Sequence, residues 1–364
     1  MSLFLTSEYF RFLGIRLINV LSKIFIISSD SCSVISRMLK IEKNSKKIIF
    51  RNVLKDRDVV QIMGLVMNYY SKLEYSLPKT DLDVRILFES PDFLPQASFV
   101  AVEDSKIVGF SGALLREDID IIEGEIIGLS TIYKPHDELY HIILGNLLDL
   151  SIKKLKEQGV NRISTIATPL FSSHYRTLIE YGFKPIKAWY LMSVEKNEVV
   201  YPEDIAGDLK IIPISQVSKD NASRLDLAIS VLNAAFFGEL GGGWDKSEIM
   251  IKFKNPNFEP EGIFIGYSNS VPAGIIWVVI DYSLSKIRNM KIGWVAFLGL
   301  REEYRGRRYG RTLLAHGLKY LFNNGVEKVL LWVNSENSVA VRLYRMFNFS
   351  VEKAAHLMWY YIRE

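Results

Sequence analysis

The stretch "REEYRGRRYGRTLLAHGLKYL", residues 301–321, decides the fold because it joins an arginine- and glycine-rich loop to an amphipathic helix. The loop residues are Arg305, Gly306, Arg307, Arg308, Gly310 and Arg311. Leucines at helical spacing predict that one face of the helix packs on a core: Leu313, Leu314, Leu318 and Leu321. An apolar, strand-like run, "WVAFLGL" (294–300), comes directly before the loop. The sequence therefore predicts a strand, a loop and a helix in direct succession.

A glycine-rich loop between a strand and a helix is suited to binding an anion. Backbone N–H groups at the helix N-terminus have no partners within the helix, and the helix dipole favours negative charge there. Glycine lets the backbone approach a ligand closely, and arginine donates charge-assisted hydrogen bonds. A pyrophosphate suits this geometry, but a solvated charge cluster and a nucleic-acid patch are alternatives. A nucleic-acid site should interleave exposed aromatic residues with the charges, and the candidates here are Tyr304 and Tyr309.

The loop resembles the coenzyme A-binding motif of the GNAT superfamily of N-acetyltransferases, written Arg/Gln, two residues, Gly, one residue, Gly/Ala. Arg305 takes the first place and Gly310 the last, while Arg308 stands where the middle glycine usually lies. The resemblance implies that acetyl-CoA is the cofactor. It implies contacts to the cofactor phosphates from the loop and to the pantetheine arm from the preceding strand. The implied residues are Phe297, Leu298, Gly299, Leu300, Arg305, Gly306, Arg307, Arg308, Tyr309, Gly310 and Arg311.

A second motif, "LLWVNSENSVAVRLYRMFNF" (330–349), predicts a buried strand and a helix that begins at an asparagine. It resembles the later motif of the family, which implies that Asn337 and Tyr344 flank the pantetheine arm and the sulfur. Tyr344 would then protonate the departing thiolate. Taken alone, Asn337 also suits a helix N-cap and Tyr344 a packed aromatic residue. Asn348 replaces the usual glycine at the helix end, where asparagine tolerates the left-handed conformation.

The resemblance implies direct attack of an amine on the acetyl-CoA thioester, which requires a base because the amine must arrive neutral. Glu239 and Asp245 in "FFGELGGGWD" (236–245) fall in the region of the family's substrate-binding loop. Asp281, at the end of a predicted strand, is a third candidate. All three are also ordinary carboxylates. The acceptor, either a small-molecule amine or a protein or peptide amine, stays open.

The chain repeats itself when it is shifted by 166 residues, without a gap over about 46 positions. Gly159–Val160 then falls on Gly325–Val326, and Leu191–Met192 on Leu357–Met358. The functional positions are replaced in the first half by apolar or bulky residues. Arg305, Gly306, Arg308 and Gly310 become Leu139, Tyr140, Ile142 and Leu144, while Asn337 and Tyr344 become Phe171 and Leu178. The first half is therefore expected not to bind coenzyme A.

The fold class predicted is α/β (α+β), with two tandem GNAT-like domains that each have a mixed, mostly antiparallel sheet flanked by helices. The layout resembles that of tandem GNAT proteins such as mycothiol synthase, a likeness of architecture alone. The expected divisions are an N-terminal extension at 1–47, a degenerate domain at 48–200 and an acetyltransferase domain at 205–364. The polar segment "EKNEVVYPEDIAGD" (195–208) is the expected linker.

Residues 1–47 are interpreted as an amphipathic helical extension, because Glu8, Arg11, Arg16 and Lys23 interrupt an apolar run too often for a bilayer span. Such a helix would dock on the protein's own surface, contact a membrane surface or bind a partner. A start codon assigned too far upstream is a further alternative.

The composition excludes several classes of protein. The single cysteine, Cys32, excludes an intramolecular disulfide and a thiolate metal cluster, and it favours a cytoplasmic protein. The five histidines are scattered, so we expect no metal site. The net charge of +4 suits an anionic small ligand as well as nucleic acid. Two competing functions stay open: a non-catalytic acyl-CoA sensor or scaffold, and a nucleic-acid-associated protein that uses the basic loop.

Overall fold

The structure, a computed structural model, describes residues 39–43, 46–72, 87–117, 122–167, 172–217, 220–236 and 260–362. Its strands are β1 Leu39–Lys43, β2 Lys46–Asn52, β3 Phe99–Glu103, β4 Lys106–Glu117, β5 Ile122–Thr131, β6 Arg162–Ala167, β7 Lys184–Glu195, β8 Lys210–Pro213, β9 Ile263–Ser268, β10 Val271–Asp281, β11 Ile292–Leu300, β12 Lys328–Asn334 and β13 Ser350–Tyr361. Its α-helices are α1 Lys55–Lys72, α2 Glu138–Lys156, α3 Ser173–Glu180, α4 Ile214–Val217, α5 Asn221–Ala235, α6 Tyr282–Arg288, α7 Tyr309–Asn323 and α8 Ser338–Met346.

The chain divides into two compact units. The C-terminal unit contains Lys187–Ala355, and the N-terminal unit contains the described part of Leu17–Ile186 together with His356–Glu364. These units differ at their last strands from the divisions expected at 48–200 and 205–364. Most of β7 lies in the C-terminal unit, and the second half of β13 lies in the N-terminal unit.

The expected helical extension at 1–47 is wrong where the structure describes it. Residues 39–43 form β1, which pairs antiparallel with β2 from Leu39↔Phe50 to Lys43↔Lys46. The alternation of apolar and charged residues in "LKIEK" is typical of a strand, and this local pattern determines the structure. Residues 1–38 lie outside the described residues.

In the C-terminal unit the strands lie in the order β8-β9-β10-β11-β12-β7. All neighbours are antiparallel except β11 and β12, which are parallel. Helix α7 packs on one face, where a Cβ on Gly317 would lie 2.5 Å from Ile276 Cδ1. Helix α5 ends on the other face, where a Cβ on Gly299 would lie 2.7 Å from Ala235 Cβ. A mixed, mostly antiparallel sheet with helices on both faces confirms the predicted fold class.

The N-terminal unit has the order β1-β2-β3-β4-β5-β6-β13, and its parallel pair is β5 and β6. Helix α2 packs against this sheet as α7 does against the other. A Cβ on Gly124 would lie 3.0 Å from the methyl groups of Leu155, and one on Gly293 would lie 3.0 Å from a methyl group of Leu321. Because Leu155 and Leu321 are 166 residues apart, the repeat found in the sequence is also a repeat of structure.

Candidate active site

The parallel pairing of β11 and β12 stops early. Within the described residues it covers three pairs, from Ile292↔Lys328 to Trp294↔Leu330, although β11 continues to Leu300. Just beyond the last pair, β11 bulges against β10, because Val278 pairs with Val295 while Trp277 pairs with Phe297. Ala296 is therefore the extra residue. A bulge re-aims the backbone beside it, and the end of the pairing opens the sheet on the β12 side of this stretch.

The predicted pantetheine-binding stretch, residues 297–300, follows this bulge. The Phe297 ring lies 5.5 Å from the Trp277 ring and is buried. Leu298 and Leu300 pack at the edge of the core of the C-terminal unit. Gly299 is required by the close approach of α5, since a side chain there would strike Ala235 and Phe236. Because the side chains serve packing, a cofactor role of this stretch would fall to its backbone.

The loop between β11 and α7 adopts two left-handed conformations. Gly306 has φ +79°, and apart from its two chain neighbours no heavy atom of the described residues lies within 4 Å of a Cβ built on it. Arg308, at the position of the motif's middle glycine, has φ +65°. An arginine in this conformation costs about 1 kcal/mol relative to glycine. The departure from the motif therefore changes the side chain and keeps a backbone conformation that glycine adopts without strain.

The N-terminus of α7 fits an anion. Arg308 is its N-cap residue and provides no side-chain hydrogen bond to the helix. The N–H groups of the first turn have no carbonyl partners within a helix, so an anion in front of them satisfies donors that the N-cap side chain leaves open. A Cβ on Gly310 would make ordinary van der Waals contacts with described residues, 3.4 Å to Leu343 Cδ2 and 3.8 Å to Leu300 Cδ1.

Arg305 points away from this turn. Its Nη2 donates to the carbonyl oxygen of Ala235 at 2.8 Å, and its Nε donates to that of Leu300 at 3.3 Å. Ala235 is the last residue of α5, so Arg305 ties the loop to the C-terminus of that helix. The structure thus gives this predicted phosphate ligand a positioning contact.

Arg307, Arg308 and Arg311 lie on the outer side of the loop. Arg307 lies 5.4 Å from the Tyr304 ring centroid. Arg308 and Arg311 both contact the carboxylate of Asp204, Arg308 Nε at 3.5 Å and Arg311 Nη1 at closer range. The Arg308 side chain remains 60 % exposed. These two arginines therefore form a cationic pair at the start of α7, and sequence reasoning had not identified its partner Asp204.

Tyr309 is a core residue. It is 1 % exposed, and its hydroxyl donates to Asp208 Oδ2 at 2.6 Å and lies 3.0 Å from Ser268 Oγ. Its predicted contact with the cofactor would therefore involve its backbone at the start of α7. The spacing of Tyr309 and Leu313, four residues apart on one helix face, is the signal in the sequence that indicates this burial.

Asn337 and Tyr344 lie on α8, the helix that follows β12. Asn337 caps α8, with its Oδ1 accepting from Ala340 N at 3.0 Å. Tyr344 is 7 % exposed, and its ring lies 5.8 Å from the Phe349 ring. Asn348 has φ +67°, so the left-handed helix end predicted for it is observed. Both candidate residues therefore have structural contacts on the element that borders the opening.

The candidate bases have different outcomes. Glu239 and Asp245 lie outside the described residues. Asp281 is 4 % exposed and caps α6, with Oδ1 accepting from Leu284 N at 2.9 Å and Oδ2 from Trp294 Nε1 at 3.3 Å. It pairs with Ile292, at the end of β11 opposite to the loop. The structure therefore does not bring Asp281 to the opening.

The described residues contain no group of three or more His, Cys, Asp or Glu side chains placed to hold a metal ion. The same part of the chain has no helix long and apolar enough to cross a membrane.

The N-terminal unit fills the corresponding site with its own side chains. Helix α2 begins at Glu138, so the residues aligned with the loop form its first turns. Tyr140, aligned with Gly306, is fully buried, and its hydroxyl lies 3.1 Å from that of Tyr69. Leu178, aligned with Tyr344, is also fully buried. The parallel pairing of β5 and β6 has three pairs, as in the other unit, but no glycine-rich loop follows β5.

Residues 232–349 match the model of the acetyltransferase (GNAT) family. This match lies within the C-terminal unit and includes the bulged β11 and the start of α7. The chain resembles the mycothiol acetyltransferase of Thermobispora bispora, 31% identical over 121 residues, and that of Mycolicibacterium smegmatis, 33% identical over 127 residues. These alignments cover 33% and 34% of this chain and 41% of each relative. The match thus spans about two fifths of the relatives' length.

Solved structures share the fold over most of the chain. A GCN5-related N-acetyltransferase from Sphaerobacter thermophilus has a TM-score of 0.61 at 16% identity, covering 87% of this chain and 96% of that one. A tandem GNAT protein from the clavulanic acid biosynthesis pathway has a TM-score of 0.58 at 13% identity, covering 86% and 97%. The predicted tandem arrangement of two GNAT-like domains is therefore confirmed.

Proposed function

We propose that the protein is an acetyl-CoA-dependent N-acetyltransferase whose C-terminal domain transfers the acetyl group to a primary amine by direct attack. One observation carries the proposal. The strand that separates from its parallel neighbour is bulged at Ala296 and leads directly into a helix N-terminus that its N-cap side chain leaves open. This combination lies within the part of the chain that matches the GNAT family.

The residues around the opening fit coenzyme A, which supplies the activated thioester when bound. The N–H groups at the start of α7 would hold the pyrophosphate, with Arg308 and Arg311 adding charge-assisted hydrogen bonds. The backbone of residues 297–300 would hold the pantetheine arm. One N–H beside the bulge would polarise the thioester carbonyl as it gains negative charge.

Tyr344 is proposed as the acid that protonates the leaving thiolate. Its position on α8, which directly follows β12, supports this role. A tyrosine fits because it carries a proton at neutral pH and can donate it to a thiolate formed nearby. Glu239 and Asp245 stay the candidates for the base that keeps the amine neutral.

The acceptor is proposed to be a small-molecule amine. The relatives from Thermobispora bispora and Mycolicibacterium smegmatis are named mycothiol acetyltransferases, and a name that refers to a small molecule supports this choice over a protein amine. Because the match spans about two fifths of each relative, it supports the class of acceptor and not its identity.

The binding half of the proposal is tested by calorimetric titration of acetyl-CoA. We expect one site per chain, and a loss of affinity of at least about 100-fold in Gly310→Glu, because a carboxylate in the first turn of α7 repels the phosphates. A carboxylate at a helix N-terminus favours the helix, so the variant should stay folded. His141→Glu, which adds the same charge to the exposed first turns of α2, is the matched control. Two sites per chain would contradict the interpretation that side chains fill the site of the N-terminal unit. Absence of any binding would overturn the proposal.

The catalytic half is tested by release of free thiol from acetyl-CoA in the presence of a panel of primary amines. We expect Tyr344→Phe to lower kcat by about 100-fold while the affinity for acetyl-CoA stays within about twofold, as removal of a general acid does. If acetyl-CoA binds and no amine accelerates thiol release, the non-catalytic sensor becomes the better account. Unchanged kcat in Tyr344→Phe would remove this residue from the mechanism.

A further inference from the structure

A segment that the coenzyme A motif does not include lies along the outer side of α7. Residues 199–208, here called the 199–208 strap, connect β7 to β8. Near the C-terminal half of α7, the ring of Tyr201 lies 5.5 Å from Lys319 Nζ. Near the N-terminus of α7, Ala206 N donates to Thr312 Oγ1 at 3.1 Å. The strap therefore follows the helix from near its end to its first turn.

The strap places a carboxylate on the arginines of that first turn. Asp204 Oδ2 accepts a hydrogen bond from Arg311 and lies 3.5 Å from Arg308 Nε. The hydrogen bond from Arg311 lowers the pKa of the Asp204 carboxyl, so this group is an anion at neutral pH. Asp204 is half-exposed, with 43 % of its side chain accessible, so solvent and a ligand can both reach the contact.

We propose that Asp204 is an internal competitor for the phosphates of the cofactor. Its carboxylate occupies Arg308 and Arg311 in the free protein and gives them up when a cofactor phosphate binds. The inference rests on the proposed function and assigns a regulatory residue to that site. A carboxylate and a phosphate accept from the same guanidinium donors, so Asp204 competes with any phosphate that uses Arg308 Nε or Arg311 Nη1.

The expected effect follows from the charges. Two unit charges about 6 Å apart in water repel each other enough to change an affinity by about threefold, and a doubly charged phosphate increases this to about tenfold. Asp204 therefore weakens binding of acetyl-CoA and also of the product coenzyme A, which carries the same phosphates. The contact would raise KM for acetyl-CoA and hasten product release.

The test compares Asp204→Asn with Glu203→Gln. The control removes the same charge one residue away, from an exposed side chain that forms no ion pair with another described residue. We expect Asp204→Asn to bind coenzyme A about three- to tenfold more tightly at low salt, with the gain shrinking as salt screens the charges. Glu203→Gln should stay within about 1.5-fold of the wild type, since a charge without this contact is more strongly screened. Equal or weaker binding in Asp204→Asn, or the same gain in both variants, would overturn the inference.

Further probes identify the phosphate and separate the two proposals. 3′-Dephospho-coenzyme A should show the gain if the arginines bind the pyrophosphate and should lose it if they bind the 3′-phosphate. Either result supports competition at the arginine pair. Inorganic pyrophosphate and adenosine 3′,5′-bisphosphate test the pair without a thioester. If these anions bind more tightly to Asp204→Asn while neither protein binds acetyl-CoA, the inference stands and the proposed function fails. If no probe binds either protein, both fall.

Discussion

Gly306 and Tyr140 occupy the same place in the two units and have opposite surroundings. In the part of the chain that the structure describes, only the chain neighbours of Gly306 come within 4 Å of a Cβ placed on it, whereas Tyr140 is fully buried and touches Tyr69 through its hydroxyl. Tyr309 at the start of α7 aligns with Ile143, so α2, which begins at Glu138, starts five residues earlier (143 − 138). The comparison shows that the loop in one unit is a helical turn in the other. The proposed anion site and a piece of core are alternative uses of one scaffold.

The largest effect is expected for Tyr140→Ala. It removes a fully buried ring, so the N-terminal unit should lose about 3–5 kcal/mol of its free energy of unfolding. Gly306→Ala at the aligned position should cost about 1 kcal/mol, because only the strain of φ +79° opposes it. Unfolding in urea, followed separately by hydrogen exchange in α2 and α7, measures both. Similar losses in the two variants would break the comparison.

A pH effect of intermediate size is expected in the N-terminal unit. Burial lowers the pKa of His174 from 6.5 to about 4. Between pH 6.5 and about pH 4, His174 is protonated in the unfolded chain and stays neutral in the folded unit. The free energy of unfolding is therefore highest above pH 6.5 and falls progressively down to about pH 4. The loss amounts to roughly 3 kcal/mol. His174 Nε2 has no hydrogen-bond partner among the described residues, so His174→Phe removes the titration without breaking a bond there.

Melting temperatures of wild type and His174→Phe between pH 7 and pH 4.5 check this prediction. The melting temperature of the variant should rise relative to that of the wild type as the pH falls. Burial also lowers the pKa of His356, but that group is present in both proteins and cancels in the comparison. If the melting temperatures of the two proteins changed by the same amount across the pH range, His174 would not be the cause of the loss of stability.

The smallest effect is expected for Asp281→Asn. The pair Asp281↔Ile292 in the C-terminal unit corresponds to Arg116↔Glu123 in the N-terminal unit. The residue at this position therefore differs between the units, and the position lies at the end of β11 opposite to the loop. The variant should lose about 1–2 kcal/mol of stability, because an amide disturbs the contacts to Leu284 and Trp294. Its kcat/KM and the pH profile should stay as in the wild type. A loss of 100-fold or more would make Asp281 the base after all.

The sequence predicted what depends on local pattern. The helix after the loop, the N-cap at Asn337 and the left-handed end at Asn348 follow from spacing and residue type, and the structure has all three. The contacts that determine where the side chains of the loop arginines lie were not predictable in this way. Arg305 meets Ala235 across 70 residues, and Arg311 meets Asp204 across 107. No local pattern records which distant group will face a side chain, so ligand and structural roles look alike in the sequence.

The division of the strands between the units has a consequence for how the chain is made. The N-terminal unit includes β6, whose partner is the part of β13 from His356 to Tyr361. His356 is synthesised 189 residues after Ala167, the last residue of β6 (356 − 167). At the usual pace of about 5–20 residues per second, β6 then waits roughly 10–40 seconds with one edge open. Such an edge is a template for wrong pairing, so the first half of this protein is exposed to mispairing during its synthesis.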